Sequence, residues 1–235
     1  MLSLVRPALI AVAIFAVSPL HAQTFLGPTP YLSAADSPFN PASFGYFHLE
    51  TFEDHLLNVP GVTATGGGGV TSVVFGPGVH DSVDADDGSI NGSGLAGDSF
   101  FTSNGAAAVR FTFSAAALGS LPTSAGIVWT DGAFASSVTF SAYGPTGELL
   151  FTQTRSGFAD GSNNGETAED RFFGVVNAAG VSSIEISNPG GGMEVDHLQF
   201  GGANIAPAIP EPETYALLLA GLGCIGLVTR RRARR

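Results

Sequence analysis

The sequence predicts an all-β sandwich or barrel, and three observations carry that prediction. Short runs rich in Val, Ile, Phe and Thr recur at roughly ten-residue spacing. Clusters of Gly, Asn, Asp and Pro separate them: TDG, YGPTGE, DGSNNGE and NPGGG are turn chemistry. No stretch of the body carries a convincing helical period. In FGYFHLETFE (44–53), Tyr46, His48 and Glu50 alternate with Phe47, Leu49 and Thr51. VRFTF (109–113) is the clearest strand, with Val109, Phe111 and Phe113 on one face and Arg110 and Thr112 on the other. GIVWT (126–130), SSVTFSAYG (136–144), ELLFTQT (148–154), RFFGVV (171–176), SSIEIS (182–187) and MEVDHLQF (193–200) complete the set. Residues 66–97 read either as a long loop or as weak strands, and the strand pattern is too irregular for an internal repeat. One sandwich domain is placed at 44–201, preceded by a Pro- and Ser-rich leader (23–43) and followed by a linker (202–209).

The two ends read as processing signals rather than as fold. Arg6, an apolar run from Ala8 to Val17 and Leu20-His21-Ala22 before Gln23 have the order of a secretory signal peptide over residues 1–22. The chain has no lysine, and Arg6 with the terminal arginines accounts for six of its nine cationic residues. The body keeps only Arg110, Arg155 and Arg171 against nearly all the acids. Such a surface repels phosphate backbones, which argues against nucleic acid as a partner. Cys224, the only cysteine, lies in the tail, so the exported body is held by its core without disulfides.

The tail is PEPETYALLLAGLGCIGLVTRRRARR (210–235). Its apolar stretch, with flanking Tyr215 and Thr229, is about fifteen residues, or ~20–23 Å as a helix, short of a ~30 Å hydrocarbon core. Tyr215 marks one edge as an interfacial aromatic, and Arg230, Arg231, Arg232, Arg234 and Arg235 close the other. Arginines stay on the cytoplasmic side, so a helix over 215–229 would leave the body outside. Pro210 and Pro212 disfavour extending that helix upstream and leave Glu211 exposed beside the membrane. GLGCIG (221–226) matches a dinucleotide fingerprint by letter, yet lacks the preceding strand and the acid that such a site needs.

Pro210-Glu211-Pro212, a short apolar helix and a terminal arginine cluster together resemble the PEP-CTERM sorting tail of Gram-negative bacteria, a tail class also labelled an ice-binding-protein C-terminal motif. The resemblance implies recognition by an exosortase, transient anchoring in the membrane, removal of the helix, and release to the cell surface or the exopolysaccharide matrix. Pro210, Glu211 and Pro212 are then a substrate motif.

In the body, no G-x-S-x-G, H-E-x-x-H or cysteine is present, and His48, His55, His80 and His197 lack ligand spacing. The expectation is a non-catalytic protein without a cofactor. Two acidic features raise the question of structural Ca²⁺. By period 2, Glu194, Asp196, Leu198 and Phe200 share a strand face, which would put Asp196 on the core side. A Ca²⁺ shared with Glu53 or Asp54, an arginine, or backbone donors would each satisfy it there. Asp160-Gly-Ser-Asn-Asn164-Gly165 imitates the start of a calcium loop, with Glu169 or Asp170 as further oxygens, but Arg171 stands where an EF-hand needs glutamate. A polar hairpin loop is the alternative reading. Asp84, Asp86 and Asp87 read as a solvated loop.

IVWTDG, EDRFFGV and MEVDHLQFG resemble stretches of secreted bacterial β-sandwich domains that carry this tail. That resemblance implies a jelly-roll or galactose-binding-like sandwich, with sugars or a structural Ca²⁺ among the ligands of such domains. Trp129 could stack on a sugar ring, but its apolar strand favours the core. Two alternatives to a structural matrix protein stay open: a carbohydrate- or ice-binding module, and a secreted polysaccharide hydrolase. Ice binding calls for a flat, regular threonine array, and the sequence displays no repeat that would build one.

Overall fold

Alternation along the chain resolves into two antiparallel sheets in a computed structural model that describes residues 23–76, 81–83, 97–102, 108–132, 137–157, 169–189 and 192–203. The signal peptide, the sorting tail with its helix and arginines, and Asp160 and Asn164 lie outside the described residues. The strands are β1 (Thr24–Pro30), β2 (Tyr46–Glu50), β3 (Val62–Thr65), β4 (Gly69–Val70), β5 (Phe100–Phe101), β6 (Ala108–Phe113), β7 (Ser124–Gly132), β8 (Val138–Tyr143), β9 (Leu149–Arg155), β10 (Arg171–Val176), β11 (Ser183–Ser187) and β12 (Met193–Gly202). Among the described residues two short α-helices, α1 (Thr71–Phe75) and α2 (Ala115–Leu118), interrupt them, besides single 3-10 turns at Ala34–Asp36 and Pro41–Ser43.

The first sheet runs β1-β10-β7-β12-β5-β4, with β2 also pairing on β12, and the second runs β3-β6-β11-β8-β9. From β6 to β12 the chain changes sheet at every connection except β8 to β9. That is the winding of a jelly roll, as the resemblance implied. β12 is long enough to take two partners along one edge, β5 at Glu194–Val195 and β2 at Leu198–Gly202.

Val109, Phe111 and Phe113 are buried between the sheets, as their alternation requires. Ile127 and Trp129 of β7, Phe140 of β8, Ile184 of β11 and Phe200 of β12 join them, so Trp129 is a core residue. Phe25 closes the sandwich edge, with its ring 4.3 Å from that of Phe151.

A second, smaller core corrects the reading of residues 23–43. They are not a leader: β1 pairs with β10 from Thr24↔Val176 to Pro30↔Arg171, and Tyr31 and Phe39 are buried. Pro28 and Pro30 are tolerated because β1 is an edge strand, and the register shift between Leu26 and Thr29 hides its alternation. Tyr31 stacks on Phe172 at 5.9 Å and Phe39 meets the same ring edge-on at 5.6 Å, against the outer side of the first sheet. Gly126 and Gly174 face each other across β7 and β10 and leave room for the Phe172 ring.

A Cβ at Gly126 would stand 2.3 Å from that ring, with the backbone of Phe173 2.7 Å away. Gly126→Ala is therefore expected to cost about 1–3 kcal/mol through overpacking. Urea unfolding of the purified protein checks this, and an unchanged midpoint would contradict the packing described.

Candidate functional site

Strand β12 sets the chemistry at one end of the first sheet. Met193 and Val195 point into the main core, so Glu194 and Asp196 face outward. The expected common face for Glu194, Asp196, Leu198 and Phe200 is not what forms. Asp196 opposes Val128 and Gln199 opposes Gly126, so β12 carries one residue more than β7 between those points. His197, at φ 44°, takes up the extra residue as a bulge, and period 2 restarts with Leu198 and Phe200 facing inward. Asp196 therefore lies on the outer side, buried beneath the segment Asp81–Val83.

The bulge is pinned by a buried polar chain from the N-terminal segment. Tyr31 Oη meets His197 Nδ1 at 3.0 Å and accepts from Gln199 Nε2 at 2.9 Å. Gln199 Oε1 in turn accepts from Ser37 Oγ.

Asp196 is met by donors of the chain itself: Ser82 Oγ at 3.0 Å, Val83 N at 2.9 Å and the N–H of His197. Glu53 Oε1 accepts from the same Ser82 hydroxyl at 3.5 Å, so the structure does bring Glu53 and Asp196 to a common residue. Asp54 goes elsewhere; it accepts from Leu56 N at 3.1 Å and from Asn58 Nδ2, holding its own turn. Asp170 is buried at the start of β10, after Glu169. Two acids carry more weight here than the sequence suggested. Glu194 accepts from Asp81 N at 2.8 Å and Ser99 Oγ at 3.2 Å, and Asp131 sits directly opposite it on β7. The all-oxygen set of Glu53, Asp131, Glu194 and Asp196 would suit a hard cation such as Ca²⁺. Among the described residues, however, no three acids or histidines converge in a metal-holding arrangement.

Burial pushes the Glu194 carboxyl up to about 8, and the charges of Asp131 and Asp196 add to the rise against the bonds from Asp81 and Ser99. The folded chain thus keeps a proton that the unfolded chain, titrating near 4.5, has already released. Stability must fall as pH rises between those values and level off above them. In urea unfolding from about pH 5 to 9, this carboxyl contributes a decline of up to roughly 1.4 kcal/mol per pH unit. Glu194→Gln is expected to remove that share of the slope, and parallel profiles would contradict it.

A second cluster joins loop and helix. Asp98 Oδ1 accepts from Ser72 N at 2.8 Å and Thr71 Oγ1 at 3.0 Å, and Oδ2 accepts from Ser72 Oγ at 2.6 Å and pairs with His55 Nδ1. Burial is the largest influence on Asp98 and raises its carboxyl, but the bonds from Ser72, His55 and Thr71 outweigh it and hold it below the usual range. Serine, histidine and aspartate meet here, yet Ser72 Oγ and Asp98 both address the same ring nitrogen of His55. A relay to a nucleophile uses the two ring nitrogens separately. The cluster anchors α1.

Strand β12 ends at Gly202, and Ala203 closes the described domain at the end remote from Glu194, where Ser120 Oγ donates to its carbonyl at 2.9 Å. Beyond it, residues 208–233 match the PEP-CTERM protein-sorting motif. The C-terminus carries a sorting signal. A motif of this kind marks an exported protein of Gram-negative bacteria for exosortase processing. No curated protein matches the chain. Among solved structures, an arabinose-bound α-L-arabinofuranosidase is similar at 12% identity and a TM-score of 0.23, over 65% of this chain and 27% of that one, a likeness too slight to carry an argument. Among the described residues, no helix is long and apolar enough to cross a membrane.

Proposed function

We propose that this chain is a non-catalytic protein of the cell surface or extracellular matrix, a jelly-roll domain delivered by its PEP-CTERM tail. The observation that carries the proposal is the sorting motif at 208–233, beginning just after the last strand ends at Gly202. β12, the last described strand, ends at Gly202, so a cut near Pro210-Glu211-Pro212 would fall beyond every described strand. Residues 204–209 reach at most ~20 Å even when extended, which would keep the folded body close to the bilayer until release. The Arg230–Arg235 region would hold the apolar segment with the body outside. An exosortase is then the processing partner, and the membrane is a transient one. The arrangement around His55 supports a body without nucleophilic chemistry, since Ser72 and Asp98 share one ring nitrogen.

Replacing Pro210, Glu211 and Pro212 with alanine in the native host tests this. The expected result is at least a tenfold fall in surface-released protein, with the unprocessed chain accumulating in the membrane fraction. Release equal to that of the parent would overturn the sorting reading.

A further inference from the structure

The outer faces of the two sheets are treated differently. That of the first sheet is covered by Tyr31, Phe39 and the Asp81–Val83 segment. On the second sheet the register aligns hydroxyl side chains into rows across the strands. Thr63, Thr112 and Ser183 stand in line with Tyr143. The next row runs Thr65, Arg110, Glu185, Ser141 and Thr152. A third aligns Ser187, Thr139 and Thr154. Thr63, Thr65, Thr112, Thr152 and Thr154 are exposed, while Ser141 and Ser183 are buried among their neighbours.

The charge of this face is as informative as its hydroxyls. The chain carries a formal net charge of −11, yet the only charged groups in these rows are Arg110 and Glu185, which cancel. Arg110 Nε and Nη2 bind the same oxygen, Glu185 Oε2, at 2.9 and 2.8 Å. Glu185 Oε1 is left as an acceptor beside the remaining guanidinium N–H donors, both side chains being partly exposed. The guanidinium lies 4.1 Å from the centre of the Tyr143 ring, which fixes its plane. A donor and an acceptor held side by side, amid hydroxyls that can each donate and accept, match the vicinal diols of a sugar. An acidic polymer would be repelled by the rest of the body, and the balanced Arg110–Glu185 pair puts no net charge at the centre of the face to select a cationic one.

We infer that the outer face of the second sheet docks an uncharged polysaccharide chain, with Arg110 and Glu185 at its centre. This deepens the matrix reading and rests on it only for the source of the polymer. Ice fits the face less well. The Arg110–Tyr143 centre interrupts the rows that a flat, regular array would need.

Mature protein purified from native cells can be run in native gels containing soluble β-glucan, xylan or arabinan, with polygalacturonate as the charged control. Retardation by at least one neutral polymer is expected, unchanged between about 50 and 500 mM NaCl, because no ion pairs form with the ligand. Glu185→Ala and Thr152→Glu should each weaken it at least tenfold while keeping the parental melting temperature within a few degrees. Val73→Ser, on α1, should bind as the parent does. Absence of retardation by every neutral polymer, retardation only by polygalacturonate, or parental binding by Thr152→Glu would overturn the inference. So would thermal hysteresis of ice growth without polymer binding. The assay uses purified protein, so its failure leaves the sorting reading intact, and a failed sorting experiment leaves this inference intact.

Discussion

Everything distinctive about this fold depends on the bulge at His197 in β12. All ten residues of that strand are buried, on one side against the core between the sheets and on the other beneath the N-terminal segment and Asp81–Val83. A strand buried on both faces has to distribute apolar and polar side chains without stranding either. One extra residue achieves that: Glu194, Asp196 and Gln199 go to the outer layer, while Val195, Leu198 and Phe200 go to the core. The left-handed backbone at His197 is held by Tyr31, which is in turn held by Phe172 and Gln199. The N-terminal segment and the last strand thus support each other across most of the chain length, in a body that has no cysteine to do so.

The sequence was informative wherever one face was apolar and the period was unbroken. VRFTF, RFFGVV and SSIEIS form strands where alternation put them, and Trp129 packs in the core. Legibility failed where geometry departs from period 2. The alternation in MEVDHLQF could not reveal that His197 would adopt a positive φ, because no glycine marks the place. The register shift at Gly27–Pro28 likewise disguised β1 as a loop, and the proline content made a leader the simpler reading. Glu53 and Asp196 meet at Ser82, which lies in a stretch too polar for its sequence to show any structure. Cross-strand hydroxyl rows are invisible in sequence for another reason. They are a property of register between distant strands, with Thr63, Thr112 and Ser183 separated by dozens of residues.

The chain divides its chemistry by location. Carboxylates collect at the end of the first sheet where β12 begins, and one of them, Glu194, is kept protonated near neutrality by its burial. The opposite end is where the chain departs toward the arginine-closed tail. Fold alone does not fix function, and a jelly roll is compatible with many. What separates this one is the tail that follows it and the hydroxyl-rich face, its one ion pair balanced, that the second sheet presents.

The central claim is that delivery and domain are separable at Pro210-Glu211-Pro212. The direct measurement is the intact mass of the mature protein recovered from native cells, with peptide mapping of both ends. The account predicts a species that begins near Gln23, retains β12 through Gly202 and lacks the apolar segment and every terminal arginine. A mature protein that retains Arg230–Arg235, or one cut within β12, would contradict it.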